Sequence, residues 1–451
     1  MKKQLSLLLA FSLVSASAAA LSACGDDTPV LRVASWEEYI DEGGDDSYAE
    51  GSDPLYEEFE DWYFEQTGEH IRVEYIPLTD NEEMYNRIQL GDTFDLLCPS
   101  EYMIMKLAAE DLIQPYPESF YDVNVETNYY AQNVSPYIAE TFSAPIAESS
   151  DHTWADYAAG YMWGTTGFVF NPENANAEDM KTWDAFTNPT YNKKITAKNN
   201  VRDSYFSGLG IHYEDELLEL KSQLDAGTLS SADYQARLSQ MMNDTTPETM
   251  SAVETILKNV KGNIQAFETD EAKNDFIAGR IDVSYQWSGD AVYIMDEVEA
   301  ESGIACSYVV PEAASNLWFD GWVMMKDANV DAATMFVNFV SRPDNVVRNM
   351  YYIGYTSCVA GEEVFDYVVE TYGAEEGDET AVDYDLNYFF GEDNESDNAK
   401  YVLSAPAEQL TRQLFAQYPD EETMLRCVVM QYFDDDANTR ANTLWQNVLA
   451  S

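Results

Sequence analysis

From Val30 onward the chain alternates short apolar segments with amphipathic ones, and that rhythm limits its fold more than any other feature. VLRVASW (Val30–Trp36) is apolar and β-branched, the pattern of a strand. In PLYEEFEDWYFEQTG the apolar residues Leu55, Phe59, Trp62 and Phe64 fall at helical spacing, and Gly68 marks the stop. IRVEYIPL predicts a second strand, NEEMYNRIQLG a short helix, DLLCPS a third strand and YMIMKLAAEDLI a further helix. Such alternation predicts an α/β fold around a mostly parallel sheet. The rhythm returns later. GYMWGTTGFVFN (160–171) is an apolar stretch long enough to cross between two lobes. Residues 213–263 predict helix, with Leu217, Leu218, Leu220 and Leu224 supplying its apolar contacts. IDVSYQWSG and WFDGWVMM predict strands, DAATMFVNFVSRP a helix, 360–400 an acidic loop-rich region, and 408–450 a helical end.

The start of the chain is of another kind. Lys2 and Lys3 precede a mostly apolar run, and small residues lead into Leu21-Ser22-Ala23-Cys24. A charged start, a short apolar stretch and a small-residue cut site predict a secretory signal over residues 1–23. The four residues ending at Cys24 resemble the bacterial lipobox, whose cysteine receives diacylglycerol. Residues 24–30 then form a lipid-anchored tether, and the chain works outside the cytoplasmic membrane. No later stretch reaches the ~18 uninterrupted apolar residues of a membrane span.

The formal net charge is -58. Such a field repels nucleic acid and anionic headgroups and draws cations diffusely, although most of the acids read as a solvated coat. With 45% hydrophobic residues, the 451-residue chain can bury a large core spread over two or three domains. Cys98, Cys306, Cys358 and Cys427 lack zinc spacing; two disulfides fit the count, and Cys98, inside an apolar strand, reads as a buried free thiol. His70, His152 and His212 form no metal motif, and there is no HExxH, P-loop or GxSxG. No metal or cofactor is expected. The acidic loop 41–54 lacks EF-hand spacing and reads as a solvated insertion.

Aromatic and acidic residues gather at the expected strand ends, where α/β sheets place their ligands. Trp36 and Tyr39 follow the first strand, and Ser100 and Tyr102 the third. Trp287 closes one later strand, and Trp318 and Asp320 open another. Aromatic walls with a few carboxylates are what an organic cation needs: rings face the charge, at ~0.5–2 kcal/mol per contact, and carboxylates bond the ammonium.

The segments SWEEYI, NEEMYNRI, FDLLCPSEY, YMWGTTGFVFN, TWDAFTNPTYNKKI, NNVRDSYF, YQWSGDA, NLWFDGWVM and IGYTS, in this order, resemble the spermidine/putrescine-binding proteins of bacterial ABC importers. The resemblance runs from Leu31 to about Ala450. It implies a two-lobed, periplasmic-binding-protein-like (type II) fold with the ligand cleft between lobes, and a binding protein, not an enzyme. The partners implied are a polyamine ligand, an ABC permease and the membrane through Cys24, for a monomer. The lobes would take residues 31–163 with 320–363, and 164–319 with 364–451. Trp36, Tyr39, Ser100 and Tyr102 would come from one lobe, with Trp287 and Trp318 completing an aromatic box. Asp320 would hold a terminal ammonium, Asp203 falls where the family places a glutamate for the other end, and Tyr355 and Gln431 match polar contacts. One departure matters: Asn200 stands where the family's spermidine binders carry an aspartate. An asparagine accepts a hydrogen bond but adds no charge, so the pocket would hold one fewer ammonium or prefer a shorter diamine. The competing readings are a different organic cation, ferric iron held by paired tyrosines such as Tyr129-Tyr130 and Tyr351-Tyr352, a glycosidase using two carboxylates, and a structural adhesin.

Overall fold

The computed structural model describes residues 28–147, 150–269, 271–391 and 400–451. The expected signal, Cys24 and most of the tether lie outside the described residues. Among those described, no helix is long and apolar enough to cross a membrane.

The first elements form where the pattern predicts. Val30–Trp36 is a strand, and Leu55–Thr67 is a helix closed by Gly68, whose φ of 74° is the left-handed cap that glycine adopts without a Cβ penalty. The helix buries Leu55, Phe59, Trp62 and Tyr63. Phe64, expected inside, is exposed and stacks on His70 at 4.3 Å. Leu218, likewise expected inside, is exposed, whereas Leu217 and Leu220 are buried.

Among the described residues twelve strands form one sheet. Its main path runs Arg72–Leu78, Val30–Trp36, Leu96–Leu97, Ser315–Met325, Ala158–Phe170, Val283–Trp287, Ile195–Lys198 and Phe267–Glu268. Parallel pairing holds at the two ends, but the middle is antiparallel, so the sheet is mixed and not mostly parallel. The reason lies in two long strands. Ala158–Phe170 is buried along its whole length; its first half pairs with Ser315–Met325, and residues 166–170 pair with Val283–Trp287. This is the predicted crossing segment, and it joins the two ends of the sheet through one continuous strand.

The buried apolar residues fall into two clusters. One gathers the N-terminal strands, residues 291–310 and most of 317–427; the other gathers 168–264 with Val428, Met430 and the helix Asp435–Ala450. Within the segment 364–451, Val364, Val368, Tyr372 and Leu403 share the first cluster, and Ala441, Leu444 and Val448 the second.

Three further expectations need correction. The described part of 360–400 is not mainly loop: Glu362–Tyr372 is a helix, and Ala381–Asp385 pairs antiparallel with Val402–Pro406. All four described cysteines are free and buried, so no disulfide forms among them, and Cys98 is the free thiol expected. The loop 41–54 is not wholly solvated. Asp41 is fully buried, bonded by the Arg348 guanidinium at 2.7 Å; the same guanidinium reaches Glu58 at 2.8 Å and Ser52 Oγ at 2.9 Å. A buried charge needs such partners, and they pin the insertion to the helix Pro343–Ile353.

Candidate functional site

Asp320 lies within the strand Ser315–Met325 rather than at its opening, at the place where the pairing with Ala158–Phe170 slips register. A bulge re-aims the side chain beside it. Across an isolated bridge Asp320 faces Ser100, which immediately precedes the helix Glu101–Ala109. Its Oδ2 accepts from the Tyr39 hydroxyl at 2.7 Å and the Trp36 indole N–H at 3.1 Å. Burial pushes this carboxyl above its ordinary value, against the pull of Ser100, Tyr39 and Trp36. The Ser100 hydroxyl lies close enough to lower it by hydrogen bonding, but at no angle of an ordinary hydrogen bond, and the buried Oδ1 has no partner of ordinary geometry. Four residues singled out from the sequence thus meet at one carboxylate.

Rings continue the wall from there. Tyr39 meets Tyr355 edge-on at 6.1 Å, and Tyr355 meets Trp318 at 5.3 Å. Trp318 donates its indole N–H to the Thr165 carbonyl. Two glycines make room. A Cβ on Gly289 would overlap the Tyr355 ring, and one on Gly164 would meet Trp318 at 2.8 Å. Tyr161, absent from the expected set, packs edge-on against Tyr39 at 5.6 Å and donates to its backbone carbonyl.

Tyr355 is also the bridge to the other end of the wall. Its hydroxyl donates to Asp290 Oδ1 at 3.3 Å, in the first turn of the helix Ser288–Ser302. Asp290 also receives Lys273 at 3.2 Å and Lys198 at 3.4 Å. Lys198 ends the strand Ile195–Lys198, is fully buried, donates to Gln286 Oε1 at 2.5 Å and stands 3.5 Å from the Trp287 ring centroid. Burial lowers its pKa, opposed by Asp290 and Asp203. Asp203 is buried in the first turn of the helix Val201–His212. Burial raises its pKa, while bonds from Asn200 and Trp287 and the charges of Lys198 and Arg202 lower it.

Asn200 caps that helix. Its Oδ1 accepts from Asp203 N at 2.8 Å and its Nδ2 donates to Asp203 Oδ2 at 2.7 Å. Both ends of its amide are therefore engaged inside the chain, and its carbonyl oxygen is not the spare acceptor that the sequence suggested. Tyr102 lies on this side too, 4.4 Å from the Arg202 guanidinium, with its hydroxyl 3.4 Å from Glu82. Gln431 is exposed; its backbone carbonyl accepts from Arg202, and its amide N–H donates to Asn243.

The structure adds residues that the sequence reading missed: Glu101, Lys198, Arg202 and Asp290. Glu101 is buried beside Asp320, and burial, then the Asp320 charge, pushes its carboxyl up to about 8. It sits between Ser100 and Tyr102, and Asp290 lies inside YQWSGDA, so position alone could have flagged both. The basic pair had no such signal, because attention to a cationic ligand favours acids and rings. Among the described residues no cluster of three or more His, Cys, Asp or Glu could hold a metal.

Known proteins resemble this chain in fold and, at about a quarter of aligned positions, in sequence. The profile of the bacterial extracellular solute-binding proteins matches residues 55–363. The spermidine/putrescine-binding periplasmic protein of Salmonella typhimurium is 25% identical over 358 residues, 79% of this chain and 84% of that protein. The putrescine-binding periplasmic protein PotF of Escherichia coli K12 is 24% identical over 364 residues, with the same shares covered. The crystal structure of a spermidine/putrescine ABC transporter substrate-binding protein from Streptococcus pneumoniae aligns over 94% of this chain and 99% of its own, with a TM-score of 0.59 at 24% identity. That likeness gives the fold, the two-lobed α/β type expected from the sequence. With the profile covering well over half of its length, the chain belongs to the family of bacterial extracellular solute-binding proteins.

Proposed function

We propose that the chain captures a polyamine between its lobes and delivers it to an ABC-type importer. The observation that carries this reading is the unpartnered Oδ1 of Asp320, a buried carboxylate oxygen in an aromatic wall. An uncompensated buried charge is costly, and an ammonium is the complement that relieves it. Trp36, Trp318 and Tyr355 supply ring surface for the methylenes, and Asp203, Trp287, Tyr102, Ser100, Tyr39 and Gln431 complete the proposed contact set. The names of the relatives support the same class of solute. We take the lobes to follow the two hydrophobic clusters, with the two long strands as hinges.

Calorimetric titration with putrescine, spermidine and spermine tests the reading; absence of heat and of any thermal shift with all three would overturn it. The same proposal makes Cys24 the lipid anchor of a monomer held near its permease, where tethering raises the effective concentration. Cys24→Ala is expected to move the protein from the membrane fraction to the soluble one with ligand affinity unchanged.

A further inference from the structure

Within that reading, a carboxylate and a ring face are the groups that best receive each ammonium of a polyamine. The far end of this wall has both, and the chain already uses them. The Trp287 face is covered by the Lys198 ammonium at 3.5 Å. Asp290 is shared by Lys198, Lys273 and Tyr355. Asp203 is bonded by Asn200 and faces Lys198 and Arg202. Arg202 in turn covers Tyr102 and interacts with Glu82 and Glu101. The far end therefore already sets Lys198, Lys273 and Arg202 against carboxylates that include Asp203, Asp290 and Glu82. At the near end Asp320 keeps an oxygen without a partner.

We propose that Lys198 is a resident ammonium, filling the place that a longer ligand's outer charge would need, so that the site takes a diamine and discriminates against a triamine. The inference rests on the polyamine reading above and names the ligand within it. The physical reason is competition. A tethered cation occupies the ring and the carboxylate without losing translational freedom, whereas a ligand ammonium arriving there must displace it or sit beside a like charge at low dielectric. Asn200 reinforces the effect, because its amide is spent on capping the helix and on Asp203, and it brings no charge.

Calorimetry on the full chain decides the matter. The wild-type protein is expected to bind putrescine about tenfold or more tighter than spermidine. Lys198→Met keeps the apolar stem and removes the charge; it is expected to shift the ratio about tenfold toward spermidine. Lys198→Arg keeps the charge and is expected to keep the wild-type preference. Spermidine binding as tightly as putrescine to the wild type, or equal ratios in the Met and Arg variants, overturns this inference and leaves the polyamine reading standing. Binding of neither ligand overturns both. If Lys198→Met shows no cooperative melting transition, Asn200→Asp replaces it. That carboxylate is expected to shift the ratio the same way, and an unchanged ratio counts against the inference.

Discussion

Replacing Asp320 by asparagine is expected to weaken polyamine binding while leaving the empty protein as stable as before, or more so. The two effects have opposite signs because the carboxylate is poorly satisfied until a cation arrives. Asparagine has the same shape, and its Oδ1 can still accept from Tyr39 and Trp36, the two donors that Asp320 Oδ2 now serves. Its Nδ2 then stands where Asp320 Oδ1 has no partner. That atom presents N–H donors to an ammonium, so the variant loses the Coulomb attraction and gains a like-polarity contact. Breaking a buried charge pair costs about 2–5 kcal/mol, a rise in Kd of roughly 30- to 5,000-fold. Stability runs the other way. Burial holds the Asp320 carboxyl above its ordinary value in the folded chain. Below the unfolded pKa both states are protonated and there is no penalty. As pH rises from the unfolded value toward the folded one, the unfolded chain ionises first and the penalty grows; above the folded value it stays constant, so at neutral pH the penalty is in force. Asparagine removes it. Calorimetry for affinity and thermal melts of the empty protein read the two effects separately. Affinity within about threefold of wild type would refute the ligand pose, and a large fall in melting temperature would make Asp320 a structural residue instead.

Three other outcomes follow from the geometry. Glu101, pushed up to about 8 by burial and then by Asp320, is mostly protonated at neutral pH; a nearby ammonium favours its charged form. Binding should therefore tighten and release a proton as pH rises toward 8, and Glu101→Gln should abolish both effects, as titration in buffers of different ionisation enthalpy would reveal. Gly289→Ala would drive a Cβ into the Tyr355 ring; the expected result is a loss of affinity of about tenfold or more and a stability cost of about 1–3 kcal/mol, read by titration and chemical denaturation. Arg348→Ala leaves Asp41 buried without its cation, held only by Gly43 N and Ser47 Oγ; denaturant melts should show a loss of about 3–5 kcal/mol, with ligand affinity retained in the folded fraction.

Which of these residues could be read from the sequence depends on how local their causes are. The strand Val30–Trp36 and the helix Leu55–Thr67 emerged from periodicity because each buries one face or one stripe, a property of neighbouring residues. The crossing strand Ala158–Phe170 emerged from its unbroken apolar run. Its antiparallel partners did not, because pairing direction is set by where the chain returns and not by residue type. Phe64 and Tyr63 exchanged places for the same reason: adjacent aromatic residues at a helix edge are sorted by what packs on them. At the site, Trp36, Tyr39, Ser100 and Asp320 were legible as residue types that suit an ammonium. Lys198 was not, since a lysine in a strand next to an asparagine carries no signal until Trp287 and Asp290, some ninety residues away, fold against it.

The same contrast governs the charge of the whole molecule. A net charge of -58 suggests a chain that gathers cations anywhere on its surface. At physiological ionic strength the screening length is about 8 Å, so acids on the outside raise the local concentration of cations with little regard to their length or valence. Discrimination has to come from charges that water and salt do not reach. Beside the aromatic wall, the charges that oppose the coat are Lys198, fully buried, and Arg202, half-buried, set against the buried Asp203 and Asp290, with Asp320 Oδ1 left without a hydrogen-bond partner. An acidic exterior that attracts every polyamine and an interior balanced to admit one more positive end are separable properties. Raising the salt concentration should slow association for all polyamines alike, while the putrescine-to-spermidine preference, set where screening is weak, should change far less.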